Sequence, residues 1–238
     1  MRAAVVVFPG SNADAEMIRT LRDVAGIPTE VAWHKDAALP PATDLVVLPG
    51  GFSFGDYLRS GAIAKASAIM ADVKRHAERG GLVLGVCNGF QILVEAALLP
   101  GALARNAHLR FSCHEVFVTV RTSGPFTHAI VGRTLRLPIA HGEGRYVPDP
   151  SRPPSVALTY TDSAGVETTH ANPNGSHASI AGIYGGPVSN VLGLMPHPER
   201  MSETHHGGVD GRLLFESAAS WFAAHAPSTS GTLEGRAP

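Results

Sequence analysis

Three residue types in this chain could act together: a thiol at Cys87 and, far along the chain from it, an imidazole at His197 and a carboxylate at Glu199. A nucleophile needs a base to take its proton and return it to the leaving group, and the base needs a third group to orient it. Cys87 lies in Gly85-Val86-Cys87-Asn88-Gly89, between the apolar run Leu82, Val83, Leu84 and a stretch with helical spacing at Phe90, Ile92, Leu93, Ala96 and Ala97. That pattern predicts a buried strand, a sharp turn and a helix. Gly-x-Cys-x-Gly at such a turn has the form of a nucleophile elbow with thiol in place of hydroxyl. Small flanking residues let the backbone strain and push the side chain out of the sheet's edge. The start of a helix also favours negative charge, which suits a thiolate. A free cysteine is often only a small core hydrophobe; paired glycines at a strand–helix junction favour the nucleophile.

His197 is one of twelve histidines, and Met195-Pro196-His197-Pro198-Glu199 sets it apart from His34, His76 and His205. The proline after it disfavours helix and forces an extended conformation, in which residues i and i+2 point the same way. Glu199 can then accept a hydrogen bond from one ring nitrogen while the other faces Cys87. Acyl transfer also needs donors for a tetrahedral oxyanion, and losing one typically costs ~10² to 10³ in rate. The loop Gly50-Gly51-Phe52 and the amide of Asn88 are the candidates. A Pro-Gly-Gly turn after a strand is by itself only a tight connection, so this assignment depends on the loop sharing a rim with Cys87.

The elements that must provide that rim are legible as alternating strands and helices. Residues 3–8 form a β-rich apolar run ending at Pro9-Gly10. Ser11 or Asn12 is placed to cap a helix with Ile18, Leu21, Val24 and Ala25 inward, and Gly26 ends it. Residues 29–34 and 44–48 read as strands, the second breaking at Pro49-Gly50-Gly51, and 62–79 reads as a helix with Ile63, Ala66, Ile69 or Met70, Val73 and Ala77 inward. Continuous apolar strands separated by helices predict an α/β fold with a mixed, mostly parallel central sheet covered by helices on both faces. Ligands bind beyond the carboxyl ends of such strands, which brings together the loops at 9–12, 50–55 and 87. After Leu99-Pro100-Gly101 the texture changes. Strands are expected at 115–120, 135–140, 156–161 and 191–195, joined by turn-rich segments, which predicts a smaller antiparallel region. A last helix over 209–225 carries Leu213, Leu214, Phe215, Trp221 and Phe222. The polar, glycine-flanked residues 141–146 are placed at a loop able to meet a partner. The domain is expected to span residues 1–226, with a flexible tail at 227–238.

The 238 residues are 44% hydrophobic, enough for a substantial core, and 19 basic residues nearly balance 20 acidic ones. With no basic block, nothing supports binding to nucleic acid or a membrane surface. Two cysteines make no disulfide framework, and with no secretion signal or membrane-spanning run the expected compartment is the cytoplasm. No phosphate-cradling glycine loop is present.

Taken together, Gly85-Val86-Cys87-Asn88-Gly89-Phe90-Gln91 and His197-Pro198-Glu199 resemble the class I, triad-type glutamine amidotransferases, on a flavodoxin-like sheet. Phe8-Pro9-Gly10-Ser11-Asn12, Gly50-Gly51-Phe52-Ser53-Phe54-Gly55-Asp56-Tyr57, Pro138-Ile139-Ala140-His141-Gly142-Glu143-Gly144 and Asn172-Pro173-Asn174-Gly175-Ser176 are similar, more narrowly, to the glutaminase subunits of phosphoribosylformylglycinamidine synthases, with matches from residue 8 to residue 216. The resemblance implies Cys87 as nucleophile, His197 as base then acid, and Glu199 as its orienting carboxylate. It implies Gly50, Gly51, Phe52, Asn88 and Gln91 as oxyanion- and substrate-binding residues, L-glutamine as substrate, and no cofactor or metal in this chain. It further implies a larger ATP-dependent synthetase subunit, where ATP and magnesium are expected, and a small third subunit as partners. Glu16 stands where that family has aspartate, and Ser189 where glycine is usual. Two rivals are a cysteine-elbow protease or deglycase-like enzyme of the same superfamily and a catalytically silent regulatory subunit. The first gives no reason for His-Pro-Glu, and the second would be expected to have lost a triad residue.

Overall fold

Four apolar strands, each followed by a turn and most by a helix, build the first half of the molecule in a computed structural model that describes residues 1–225. They are β1 (Ala3–Val7), β2 (Thr29–Trp33), β3 (Leu45–Leu48) and β4 (Leu82–Val86), with helices α1 (Asp14–Arg19), α2 (Ile69–Glu78) and α3 (Asn88–Glu95). The remaining elements are β5 (Ala102–Ala104), β6 (Ser112–Val120), β7 (Thr134–His141), β8 (Arg145–Val147), β9 (Ser155–Thr161), β10 (Ile180–Gly185), β11 (Val191–Leu194) and α4 (Arg212–His225). One nine-stranded sheet runs in the order β2-β1-β3-β4-β11-β10-β9-β6-β7, and β5 pairs with β8 in a separate ribbon. From β2 to β11 every pairing is parallel; from β11 to β7 every pairing is antiparallel. The antiparallel region is thus a continuation of the parallel sheet. Pro138 is tolerated in β7 because that strand is the edge.

Burial follows the pairing. β3 and β4 are buried along their whole length, as strands covered on both faces must be. In β7 the burial alternates residue by residue, one face on the core and one toward solvent.

Several local expectations are corrected. The inward residues of the first helix are Ala13, Met17, Thr20 and Leu21, whereas Ile18, Val24 and Ala25 are only partly buried. The helix continues through a π-helical segment at Thr20–Val24, whose wider turn changes which residues face inward. Neither Ser11 nor Asn12 caps it; the Ser11 hydroxyl instead accepts a hydrogen bond from the Phe8 amide (3.2 Å). The segment 62–79 is not one helix. A short 3₁₀ turn at Ala64–Ala66 stops at Ser67, which is extended (ψ 147°), and Ala66 is exposed. The chain there first packs against α3, where a Cβ on Gly61 would lie 2.7 Å from the Ile92 amide nitrogen. Strand β10 was masked by its glycines: Gly182 would place a Cβ 2.9 Å from the Gly193 carbonyl oxygen, so the residue that weakens the strand signal is what lets β10 and β11 approach. Ser189 adopts the left-handed conformation (φ 56°) that glycine would take without strain. The expected tail at 227–238 lies outside the described residues.

The sheet's carboxyl edge brings the three expected loops together. The amides of Phe52 and Phe54 donate to the carbonyls of Gly10 (2.8 Å) and Pro9 (2.7 Å), that of Ala13 to Gly50 (3.2 Å), and that of Ser53 to the Asn88 side-chain oxygen (3.1 Å).

Candidate active site

Cys87 sits at the junction of β4 and α3 with φ 51° and ψ −105°, a conformation that costs a non-glycine residue strain. Its neighbours are small because the turn has no room. A Cβ on Gly89 would collide with the Leu48 carbonyl, and one on Gly85 would lie 2.7 Å from the Gly89 carbonyl oxygen. The Cys87 amide donates to the Leu194 carbonyl (2.8 Å), which locks the elbow onto the end of β11. The side chain is nearly buried at 5% exposure, its sulfur 3.7 Å from the Ala140 carbonyl oxygen.

The chain leaving β11 delivers His197 and Glu199 to the same place. His197 is extended (φ −100°, ψ 93°), as the following proline requires, and its amide donates to the Pro138 carbonyl (2.8 Å). Its Nδ1 lies 2.5 Å from Glu199 Oε1, and both side chains are buried. Gly50 makes this possible, because a Cβ there would stand 2.6 Å from the ring's Cε1. The Glu199 carbonyl accepts from the hydroxyls of Thr20 (3.2 Å) and Ser202 (3.0 Å), which ties the turn to the first helix. Arg200 then pairs with Glu16 (2.7 Å), so that departure from the family pattern keeps an acid where one is used.

Burial, the largest influence on the His197 ring, disfavours its charged form; the Glu199 carboxylate and then the Cys87 sulfur outweigh it and raise its proton affinity above the ordinary histidine value. The second nitrogen, Nε2, is buried and has no hydrogen-bond partner among the described residues. This is a ring held by a carboxylate on one side with its other nitrogen left for proton exchange.

The donors around Cys87 differ in part from expectation. The Phe52 amide is engaged by Gly10, so it is not a free oxyanion donor; Phe52 instead exposes its ring, which stacks with Phe111 at 6.5 Å between centroids. The Gly51 amide (φ 146°) has no backbone acceptor among the described residues, and the Asn88 amide opens α3, where intrahelical acceptors are lacking. The side chains of Asn88 and Gln91 hold loops in place. Asn88 Nδ2 donates to Gln91 Oε1 (2.9 Å) and Asp56 Oδ1 (3.2 Å), and Gln91 Nε2 donates to the Glu143 carbonyl (2.7 Å).

A cavity of about 280 Å³ opens at Cys87, lined also by Gly51, Gln91, His141 and Glu143. That is near the lower end of the range for small-molecule sites. Of residues 141–146, expected at a loop able to meet a partner, His141, Gly142 and Glu143 line the cavity, and Arg145 and Tyr146 belong to β8. His141 is buried; its Nδ1 lies 3.1 Å from Asn106 Oδ1, and its ring covers Gly144. Asn106 Nδ2 donates to the carbonyls of Arg110 and His141 (2.9 Å each), and its Oδ1 accepts from the Gly144 amide (3.1 Å). The Nδ1 of His141 is therefore the donor and Nε2 carries no proton. The one sequence signal was a histidine with glycines packed close after a strand.

Burial first, and the nearby His197 second, lower the His141 pKa to about 4. Because this value lies below the unfolded one, His141 contributes stability that is fully present above about pH 6.5 and is lost as pH falls toward 4. We expect it to account for ~3 kcal/mol of acid destabilisation across that window. Urea unfolding of His141→Gln as a function of pH should show a shallower loss; an unchanged slope would remove His141 as its source.

The fold and this arrangement have counterparts among known proteins. The family model of the CobB/CobQ-like glutamine amidotransferase domain matches residues 1–222, which places the protein in the class of glutamine amidotransferases. The phosphoribosylformylglycinamidine synthase subunit PurQ of Salinibacter ruber is 50% identical over 224 residues, covering 91% of this chain and 94% of that one. The subunit of the same name from Rhodospirillum rubrum is 49% identical over 225 residues, covering 91% and 97%. A chain in the structure of PurLQS from Thermotoga maritima superposes with a TM-score of 0.84 at 42% identity, covering 93% of this chain and 98% of that one. The chain belongs to the family of phosphoribosylformylglycinamidine synthase subunits PurQ.

Proposed function

We propose that this chain hydrolyses L-glutamine through a thioester on Cys87 and passes the ammonia to a larger ATP-dependent synthetase subunit. That subunit, with a small third one, converts formylglycinamide ribonucleotide to formylglycinamidine ribonucleotide in de novo purine biosynthesis. The observation that carries the reading is the buried His197–Glu199 pair at 2.5 Å beside a strained cysteine elbow that opens on a small cavity. The Cys87 thiol passes its proton to His197, its sulfur attacks the carboxamide carbon, and the amides of Gly51 and Asn88 meet the oxyanion. His197 gives its proton to the departing nitrogen as the carbon–nitrogen bond breaks, releasing ammonia and leaving the thioester. Water then attacks the thioester carbon, its proton returns to His197, and glutamate leaves with the thiolate restored. Glu199 fixes the ring and stabilises its cationic form.

No helix among the described residues is long and apolar enough to cross a membrane. The compartment is the cytoplasm, where a nucleophilic thiol stays reduced. ATP and magnesium act on the synthetase subunit.

Docking of the synthetase is supported by the cavity mouth. Leu109 (75% exposed) lines the cavity, Tyr57 (74%) and Leu58 (92%) lie in the chain between its lining residues Asp56 and Ser60, and Leu58 and Leu109 hold positive φ values of 71° and 58°. Clustered apolar side chains on a rim mark a surface that is covered in an assembly. Leu58→Asp should weaken association with the synthetase about tenfold or more, by loss of a buried leucine and burial of a charge. Titration calorimetry with the purified partner measures this, and unchanged affinity would move the interface elsewhere. The function is tested by mixing the chain with its synthetase subunits, ATP and formylglycinamide ribonucleotide: glutamine-dependent product must appear only when this chain is present.

A further inference from the structure

The turn that follows the His197–Glu199 pair carries ligand chemistry that glutamine hydrolysis does not use. Glu203 is extended (φ −134°, ψ 150°), Thr204–His206 make one 3₁₀ turn, and Gly207 closes it in the left-handed conformation (φ 90°). The turn is pinned at both ends: the hydroxyl of buried Ser202 donates to the Glu199 carbonyl (3.0 Å), and the Arg136 guanidinium donates to the Gly207 carbonyl. One carboxylate oxygen of Glu203 and one ring nitrogen each from His205 and His206 lie within 4.8 Å of one another, and among the described residues this is the one group of three such ligands. The two imidazole rings stand 4.2 Å apart between centroids. Two atoms of the group are left unpaired. Glu203 Oε1 and His206 Nδ1 are buried, and neither has a hydrogen-bond partner among the described residues. Arg19 pairs with the other carboxylate oxygen, Oε2 (2.9 Å), and His205 Nδ1 lies 3.7 Å from that same oxygen. A carboxylate oxygen and an unprotonated imidazole nitrogen both offer electron pairs, so neither satisfies the other, whereas a cation between them satisfies both.

We infer that Glu203, His205 and His206 form a zinc site, with water in the fourth position. The ligand types select the ion: two imidazoles and a carboxylate suit zinc, whereas magnesium and calcium take oxygen ligands. Ligand atoms ~2.0–2.1 Å from a tetrahedral ion stand roughly 3.3 Å apart. Closing from 4.8 Å therefore asks for a shift of the order of an ångström, which the exposed His205 side chain is free to make. A bridging water would need only the two buried atoms and would give His205 no part. Arg19 stays on Oε2 and its charge weakens the site, so the affinity belongs in roughly the micromolar range rather than that of a closed four-ligand site. The ion clamps a turn that continues, through Ser202, the chain carrying His197 and Glu199. It is a structural ion beside the triad and takes no part in the thioester chemistry.

The test is calorimetric titration of the full chain, freed of metal by a chelator, with zinc chloride at neutral pH. It is run on the wild type and on Cys87→Ala, so that zinc held by the catalytic thiol is told apart from zinc held here. Cys87→Ala should bind one zinc ion per chain. Added to that variant, His206→Gln and independently His205→Gln should each weaken binding about tenfold or more, because two ligands hold zinc far less well than three. At a hundredfold excess of zinc over the dissociation constant, the thermal midpoint of Cys87→Ala should rise by about 5–10 °C, and the rise should vanish with either histidine replaced. Melting without metal shows that each variant is folded; His205 is exposed, so His205→Gln carries the comparison if His206→Gln is itself destabilised. Zinc binding that disappears with Cys87→Ala, or that survives both histidine substitutions unchanged, would overturn the inference, as would no binding at all. None of these results bears on the glutaminase reading.

Discussion

Cys87→Ala is expected to reduce glutamine-dependent formation of formylglycinamidine ribonucleotide by ~10⁴-fold or more, with formation from ammonium salts close to wild type. In the proposed mechanism the thiol acts only in releasing ammonia, and that reaction stops without a nucleophile, whereas the synthetase reaction does not touch Cys87. The substitution is mild for the fold. Alanine keeps the Cβ and so the same backbone strain at φ 51°, and the lost sulfur gives up its contact with the Ala140 carbonyl. Paired assays of one variant complex, with glutamine and with an ammonium salt, measure it. Equal loss of both activities would mean that Cys87 serves assembly or structure rather than chemistry.

His197→Asn should be nearly as damaging as Cys87→Ala, because a nucleophile without its base fails at the same step. Glu199→Gln should be milder by about one to two orders of magnitude, since the orienting residue contributes less when removed singly. Both should spare the ammonia reaction. Their pH signature is specific. The folded-state proton affinity of His197 is raised by Glu199, so the pair's contribution to stability is complete below the unfolded histidine value of about 6.5 and is lost as pH rises through the higher folded value. The stability gap between wild type and Glu199→Gln should therefore be widest at or below pH 6.5 and should narrow in alkali. Chemical denaturation at several pH values measures the gap, and one that widened with pH would reverse the assigned charge states.

Cys87, His197 and Glu199 were legible because each carries a local backbone signature: glycines at a strand–helix junction, and a proline that dictates extension. The three converging loops followed from the rule that parallel strands open their sites at the carboxyl edge, and the strands themselves from uninterrupted apolar runs. What the sequence concealed was set by distant packing. The inward face of the first helix depends on a π segment, which no periodicity count includes. Gly182 weakens the strand signal of β10, and its place in a strand is explained only when β11 is seen beside it. That His141 and Glu143 line the cavity was hidden, because Asn106, which holds His141 inward, lies 35 residues away from it in the chain. Phe52 failed as an oxyanion donor for a similar reason, its amide being taken by Gly10 on a different loop. Charged cavity residues such as Asp56 and Arg110 have no periodic or turn signature at all, so only the fold brings them together.

The central claim is that Cys87 is the nucleophile that glutamine reaches, and the chain contains its own control in Cys113, which is exposed where Cys87 is buried. The measurement is labelling of the assembled protein by 6-diazo-5-oxo-L-norleucine, an electrophilic glutamine analogue, with the modified residue located by peptide mass spectrometry. The predicted result is one label per chain, on Cys87, suppressed by added L-glutamine. Labelling of Cys113, or of Cys87 at a rate that glutamine does not change, would contradict it.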